Sequence, residues 1–201
     1  MRSLTIFFLV VTLVFSADLY SSEKVEKNPS IALVPLSGTY FIPGDFATIN
    51  DAAFATLVIG FVWYNPKVFG TIWMNETGMT EERAKQGNML KIFGFTFLFS
   101  LMISFATPGL VIHQMGAFGM IGGDEAKALP SYAAFLADYG DKFRTFKHGA
   151  LHGLLSGLFI ALPIIGVNAM FDQKSWKYIF ITAGYWTVTL IVMGAIICGW
   201  K

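Results

Sequence analysis

The chain is poor in the residues that do chemistry in water. It holds one cysteine, Cys198, and three histidines, and Asp, Glu, Lys and Arg together make up 13% of its 201 residues. A single thiol excludes an internal disulfide and a CxxC site. Cys198 reads as a small packed hydrophobe. Soluble domains are typically about 25% charged, so this composition points away from them. The net charge is +1, and without a basic field no nucleic-acid partner is expected. The sequence shows no nucleophile–base pair, no paired catalytic carboxylates and no phosphate-binding glycine loop. No catalytic residue is assigned, a non-enzymatic protein is expected, and the cofactor is left open. No internal repeat is present, so the inverted repeats of many transporters are unsupported.

Hydrophobic residues fill the space, at 55% of the chain, with 20 Phe and 20 Gly. They fall in four runs, at Phe46–Tyr64, Ile92–Ile112, Gly149–Phe171 and Tyr178–Trp200. A helix needs roughly 20 mostly apolar residues to cross a bilayer, and each run is close to that. The expected fold is an all-α membrane protein, a bundle of four transmembrane helices with a short interfacial helix. Residues 1–17 have a basic start at Arg2, an apolar core over Leu4–Phe15 and small residues at Ser16 and Ala17. They read as a secretory signal peptide, followed by a polar tether on the outer side over 18–46 and the membrane domain over 47–201.

That leader sets the expected topology, with Asn65–Lys91 and Asp172–Lys177 inside and His113–His148 outside. The expected location is the inner (plasma) membrane of a bacterium, multi-pass, in contact with membrane lipids. Trp63-Tyr64-Asn65-Pro66 marks an interfacial exit from the first run. Val68, Phe69, Ile72 and Trp73 suit one face of the interfacial helix, and Thr80 is a candidate N-cap before Glu81 and Glu82. Pro108-Gly109 is expected to kink or end the second helix. Ser131–Tyr139 reads as a short amphipathic helix with Tyr132, Phe135, Leu136 and Tyr139 on one side. Tyr185 and Trp186 lie deep enough in the fourth run to be packing residues.

The third run carries the one constellation with chemical potential. Gly149, Gly153 and Gly157 recur every four residues, a groove that lets a second helix backbone approach closely. Beside it, His148, His152 and Ser156 repeat at the same spacing. Two His four residues apart share a helix face and can ligate one metal. The remaining ligands must come from elsewhere: His113 is the other histidine, and Asp138 and Asp141 just precede the run. Arg144 and Lys147 crowd the start of the same helix, where cations are unfavourable without an anion. Pro163 frees a backbone carbonyl in mid-run. Asn168 follows it as a polar group that bridges helices or lines a solute path, and Asp51 near the start of the first run is a candidate intramembrane carboxylate.

The segment Gly60–Gly70, with Trp63-Tyr64, Pro66 and Phe69-Gly70, then Trp73-Met74, Gly78-Met79-Thr80-Glu81-Glu82 and Gly87-Asn88-Met89, resembles the bacterial domain-of-unknown-function 1761 family. Phe143–Gly153 and Ala183-Gly184-Tyr185-Trp186 fit a variant of that pattern, and the resemblance covers about 47–201. It implies a four-helix integral membrane protein and brings no assigned activity. Residues 1–46 depart from the pattern. The functional expectation is a structural or accessory component assembling through the glycine-grooved helix, as a homo-oligomer or within a larger membrane complex. The alternatives are a small oligomeric transporter or channel and a His-liganded metal or haem protein.

Overall fold

A computed structural model describes residues 46–200. The expected signal peptide, and the tether up to residue 45, lie outside the described residues. The rest is helical: α1 (Phe46–Trp63), α2 (Thr71–Thr77), α3 (Glu81–Lys85), α4 (Met89–Ala106), α5 (Pro108–Val111), α6 (Gln114–Met120), α7 (Pro130–Tyr139), α8 (Phe146–Ser156), α9 (Leu162–Phe171) and α10 (Trp176–Gly199). Four stretches are long and apolar enough to cross a membrane: Phe46–Trp63, Met89–Val111, Phe146–Phe171 and Trp176–Gly199. The fold class is therefore as the four runs imply.

Capping side chains, rather than hydropathy, set where three of these spans begin. Asn88 accepts a hydrogen bond from the Lys91 N–H, Thr145 from the His148 N–H and Ser175 from the Tyr178 N–H. Each cap satisfies one of the free N–H groups of a first helical turn. Each helix accordingly starts two or three residues ahead of its apolar run. Thr80 likewise accepts from the Arg83 N–H and opens α3.

The two in-span prolines are accommodated differently. Pro108 ends α4 and begins α5, and Thr107 between them keeps helical angles, so the span continues as far as Val111. Ahead of Pro163 the helix widens into a π-turn over Gly157–Ala161, where the Leu162 N–H reaches back five residues to the Gly157 carbonyl. An α-helical proline has no N–H to give and its ring crowds the carbonyl four residues back, and a π-turn is a common local way to make room.

The interfacial helix expected over Lys67–Met74 is divided in two. A π-turn, Pro66–Gly70, is capped by the Asn65 side chain, and α2 follows it. Trp73 packs edge-on to Tyr64 while Ile72 is exposed. On α7 only Tyr132 is buried; Phe135 and Tyr139 pack on each other and stay exposed.

The core centres on α10. An apolar stretch of 18 residues within it is 56% buried, against 11% for the corresponding stretch of the α4–α5 span. It packs against α8, α1 and α9, and α1 packs in turn against α4. Many of the buried side chains are small and polar: Thr56, Ser100, Ser104, Thr107, Ser156, Thr187 and Thr189. Ser100, Thr107, Ser156 and Thr187 donate to the carbonyl four residues back in their own helix, at 2.8 Å each. A hydroxyl satisfied within its own helix can be buried without a partner across the interface, and its small size lets backbones approach.

The glycine groove lies on this seam. A Cβ on Gly149 would strike the Gly194 carbonyl, one on Gly153 the Leu190 carbonyl, and one on Gly157 would come within 2.7 Å of the Thr187 Cα. Gly194 faces Gly149 from the other side. The second backbone in the groove is thus α10 of the same chain.

Candidate metal centre

The end of α5 and the start of α8 meet at one end of the bundle, beside the C-terminus of α10. The α5 helix stops where Ile112 turns extended, which delivers His113 to this meeting point. The first two turns of α8 contribute His148 and His152. One ring nitrogen from each of the three lies within 4.8 Å of the others. His113 Nε2 and His148 Nε2 are 2.8 Å apart, a hydrogen bond that shares one proton between two imidazoles. Ring centroids are 4.9 Å apart for His113–His148, 5.0 Å for His113–His152 and 4.6 Å for His148–His152. His113 is exposed and the other two are half-buried.

The backbone around these rings is held by a frame of its own. Thr145 caps α8 directly beneath His148. Arg144 donates from Nε to the Cys198 carbonyl at 3.0 Å and from a terminal nitrogen to the Trp200 carbonyl at 3.2 Å. These carbonyls close α10, the negative end of its dipole, where a cation is favourable. The Cys198 thiol is buried and directed at the Phe143 carbonyl, 3.3 Å away. Gln114, next to His113, is buried and its Nε2 donates to the Tyr139 carbonyl at 2.7 Å and the Lys142 carbonyl at 2.9 Å. It therefore ties the His113 segment to the loop that leads into α8.

Phe143 is the strained element. Its φ is +63°, a left-handed conformation uncommon for a bulky residue. That conformation accompanies a ring stacked on His148, with centroids 5.0 Å apart, and edge-on to His113 at 5.5 Å. An apolar wall therefore covers one side of the imidazoles.

The other candidate residues are dispersed. Asp138 and Asp141 do not join the group of convergent ligand atoms. Arg144 is engaged with α10 rather than waiting for an anion, and Lys147 is exposed. Asp51, near the start of α1, is exposed. Asn168 is also exposed, on the outward side of α9 one turn from Asp172. Gly149, Gly153 and Gly157 support the site from behind by seating α8 on α10. Gln114 and Phe143 were not legible as positioning residues, since their partners are backbone atoms and rings brought close only by the fold.

The far end of the bundle is built from larger aromatics. Trp63 Nε1 donates to the Ile181 carbonyl at 3.0 Å, and the Tyr185 hydroxyl to the Thr56 carbonyl at 3.1 Å. The Tyr64 ring lies 5.2 Å from that of Tyr185 and 5.4 Å from that of Trp73. Burial first, and then the neighbouring Tyr185 and Tyr178 phenols, push the Tyr64 phenol well above its ordinary range, so it stays neutral.

A protein-family model for DUF1761, described as a protein of unknown function, matches residues 49–198. The chain belongs to the DUF1761 family. The match reaches into all four membrane-length helices and takes in all three histidines. Comparisons with curated proteins and with solved structures gave no match. The family supplies no activity, and any functional reading of this DUF1761 member rests on its own residues.

Proposed function

We propose that this DUF1761 protein is a membrane-embedded metal-binding protein whose three imidazoles, His113, His148 and His152, hold one first-row transition metal at the end of the helix bundle. The observation that carries this reading is the convergence of three ring nitrogens within 4.8 Å of one another, from segments 35 residues apart in sequence. Spacing along one helix accounts for His148 and His152 alone; it does not account for His113. Imidazole suits zinc, copper, nickel or iron, whereas magnesium and calcium want oxygen ligands. Zinc–imidazole bonds are about 2.0–2.1 Å, and the observed nitrogen separations require only small ring movements to share such an ion. Metal would replace the proton shared by His113 and His148.

The glycine groove supports packing within the chain, because α10 fills it, and a partner chain would have to use another face. No observation favours the transporter reading to the same degree, since Asn168 and Asp51 are exposed and distant in sequence from the histidines.

The test is metal analysis of the detergent-purified protein after loading with Zn(II) and removal of excess ion. One zinc per chain is expected, with loss of that zinc in His148→Ala/His152→Ala and a folded helical spectrum retained. Wild-type protein that holds no stoichiometric zinc or copper, or a double variant that holds as much as wild type, overturns the proposal.

A further inference from the structure

The ligand inventory says more than that a metal binds. Among the described residues the convergent group consists of three histidines and nothing else. The thiol nearest in the fold belongs to Cys198, which is fully buried and bonded to the Phe143 carbonyl. The acids of the preceding loop, Asp138 and Asp141, stand outside the group. Three neutral imidazoles leave the charge of a divalent ion uncompensated and one tetrahedral position unfilled. Sites with three protein ligands characteristically keep the fourth position for water or another exogenous ligand, whereas closed structural sites use four.

The surroundings of the cluster are asymmetric. Phe143 covers one side with an aromatic ring that can neither ligate nor donate a hydrogen bond. The Arg144 guanidinium, which follows Phe143 in sequence, is tied to the carbonyls of Cys198 and Trp200, whereas Lys142, which precedes it, is exposed. His113, by contrast, is exposed. The open coordination position is therefore reachable from the His113 side.

We infer that the metal held by His113, His148 and His152 keeps an exchangeable fourth position, entered from the His113 side, that takes a small anion or water. This inference rests on the metal-binding reading proposed above. It assigns the site a ligand class, small monodentate anions, in place of a purely structural role for the metal.

The experiment uses full-length protein in detergent, loaded with Co(II) in chloride-free buffer and followed by visible absorption. Sodium azide is then titrated as the anionic probe. The expected result is a Co(II) spectrum that shifts saturably with azide, and whose bands are absent from His148→Ala/His152→Ala. A Co(II) spectrum that requires the histidines but does not respond to azide overturns this inference and leaves the metal site standing, because the fourth position is then closed by a protein ligand. An azide response that persists in the double variant also overturns it, since the responding cobalt lies elsewhere. Wild-type protein that acquires no Co(II) bands removes the metal-binding reading itself.

Discussion

The two ends of the bundle are built with the same devices and finish differently. At the Trp63 end, rings pack on rings and two polar tips find backbone carbonyls: Trp63 on Ile181, Tyr185 on Thr56. At the histidine end, Thr145 and Arg144 also satisfy backbone groups, and Phe143 also packs ring on ring. There, however, two imidazole nitrogens point at each other across 2.8 Å, with a third within 4.8 Å. The Trp63 end is complete as packing. The histidine end brings together nitrogen lone pairs that only a shared proton or a metal can reconcile. Nitrogens that converge on one another distinguish the second end, and on that geometry the proposed metal site rests.

The largest expected effect comes from breaking the seam on which the histidine end rests. Gly153→Leu places a branched side chain against the Leu190 backbone, which cannot yield as a flexible side chain would. Overpacking typically costs about 1–3 kcal/mol, occasionally more, and the backbone clash here puts this variant at the upper end. Thermal unfolding in detergent should show a large loss of stability, and metal retention should fall with it. Gly166→Ala is the matched control in the same span, since a Cβ there meets nothing within 4 Å. It should be neutral or gain up to about 1 kcal/mol from helix propensity. Equal destabilisation by both variants would show that helix crowding at α10 is not what selects these glycines.

Next in size is Arg144→Leu, which removes both bonds to the closing carbonyls of α10. Hydrogen bonds from a charged group are worth about 1.5–3 kcal/mol. A loss of roughly that size is expected, together with a decrease of about 10-fold in Zn(II) affinity, the low end of the range for residues that orient metal ligands. Arg144→Lys should restore part of the stability and less of the affinity, because a point charge cannot bridge two carbonyls as a guanidinium fork does. Unchanged affinity in Arg144→Leu would separate the α10 terminus from the site.

These variants also mark how far the sequence reaches. Four apolar runs at membrane length imply the four spans, because lipid leaves the backbone few alternatives. The Thr80 cap is likewise legible, since its chemistry is local. His148 and His152 share a face by helical spacing, and the expected topology brings His113 to the same side of the membrane. That three ring nitrogens converge depends on how α5 ends and how α8 is seated, which no periodicity encodes. The glycine groove is visible in the sequence but its occupant is not. Arg144 shows the same limit: a cation at a helix N-terminus suggests an anion until the C-terminus of another helix is found beside it. Asn168 is polar at depth by sequence, yet lies on an exposed face of α9.

Trp63→Phe tests the comparison from the other end. It keeps a ring beside Phe69, 4.5 Å away, and loses the bond to the Ile181 carbonyl together with part of the ring that lies over Gly184. A cost of about 1 kcal/mol is expected, with Zn(II) affinity unchanged. Calorimetry beside zinc titration distinguishes the two quantities. A weaker site in this variant would mean that the two ends are coupled along α10, and the division drawn between them would fail.

The smallest expected change in stability is also the most discriminating. Phe143→Gly relieves a left-handed backbone that costs a non-glycine residue about 1–3 kcal/mol. It also gives up an aromatic stack worth roughly 0.5–1.5 kcal/mol and adds glycine's entropy in the unfolded chain, about 0.5–1 kcal/mol. These terms nearly cancel, so the melting temperature should move little. The metal site should not be indifferent. With the ring gone, His148 loses the surface that fixes its orientation, and the apolar side of the cluster opens to water. Unchanged stability with weakened zinc binding would show that the strain at Phe143 is retained for the imidazoles. A clear gain in stability with zinc binding intact would show that the strain serves nothing at this site, and would leave Thr145 and Arg144 as the residues that orient it.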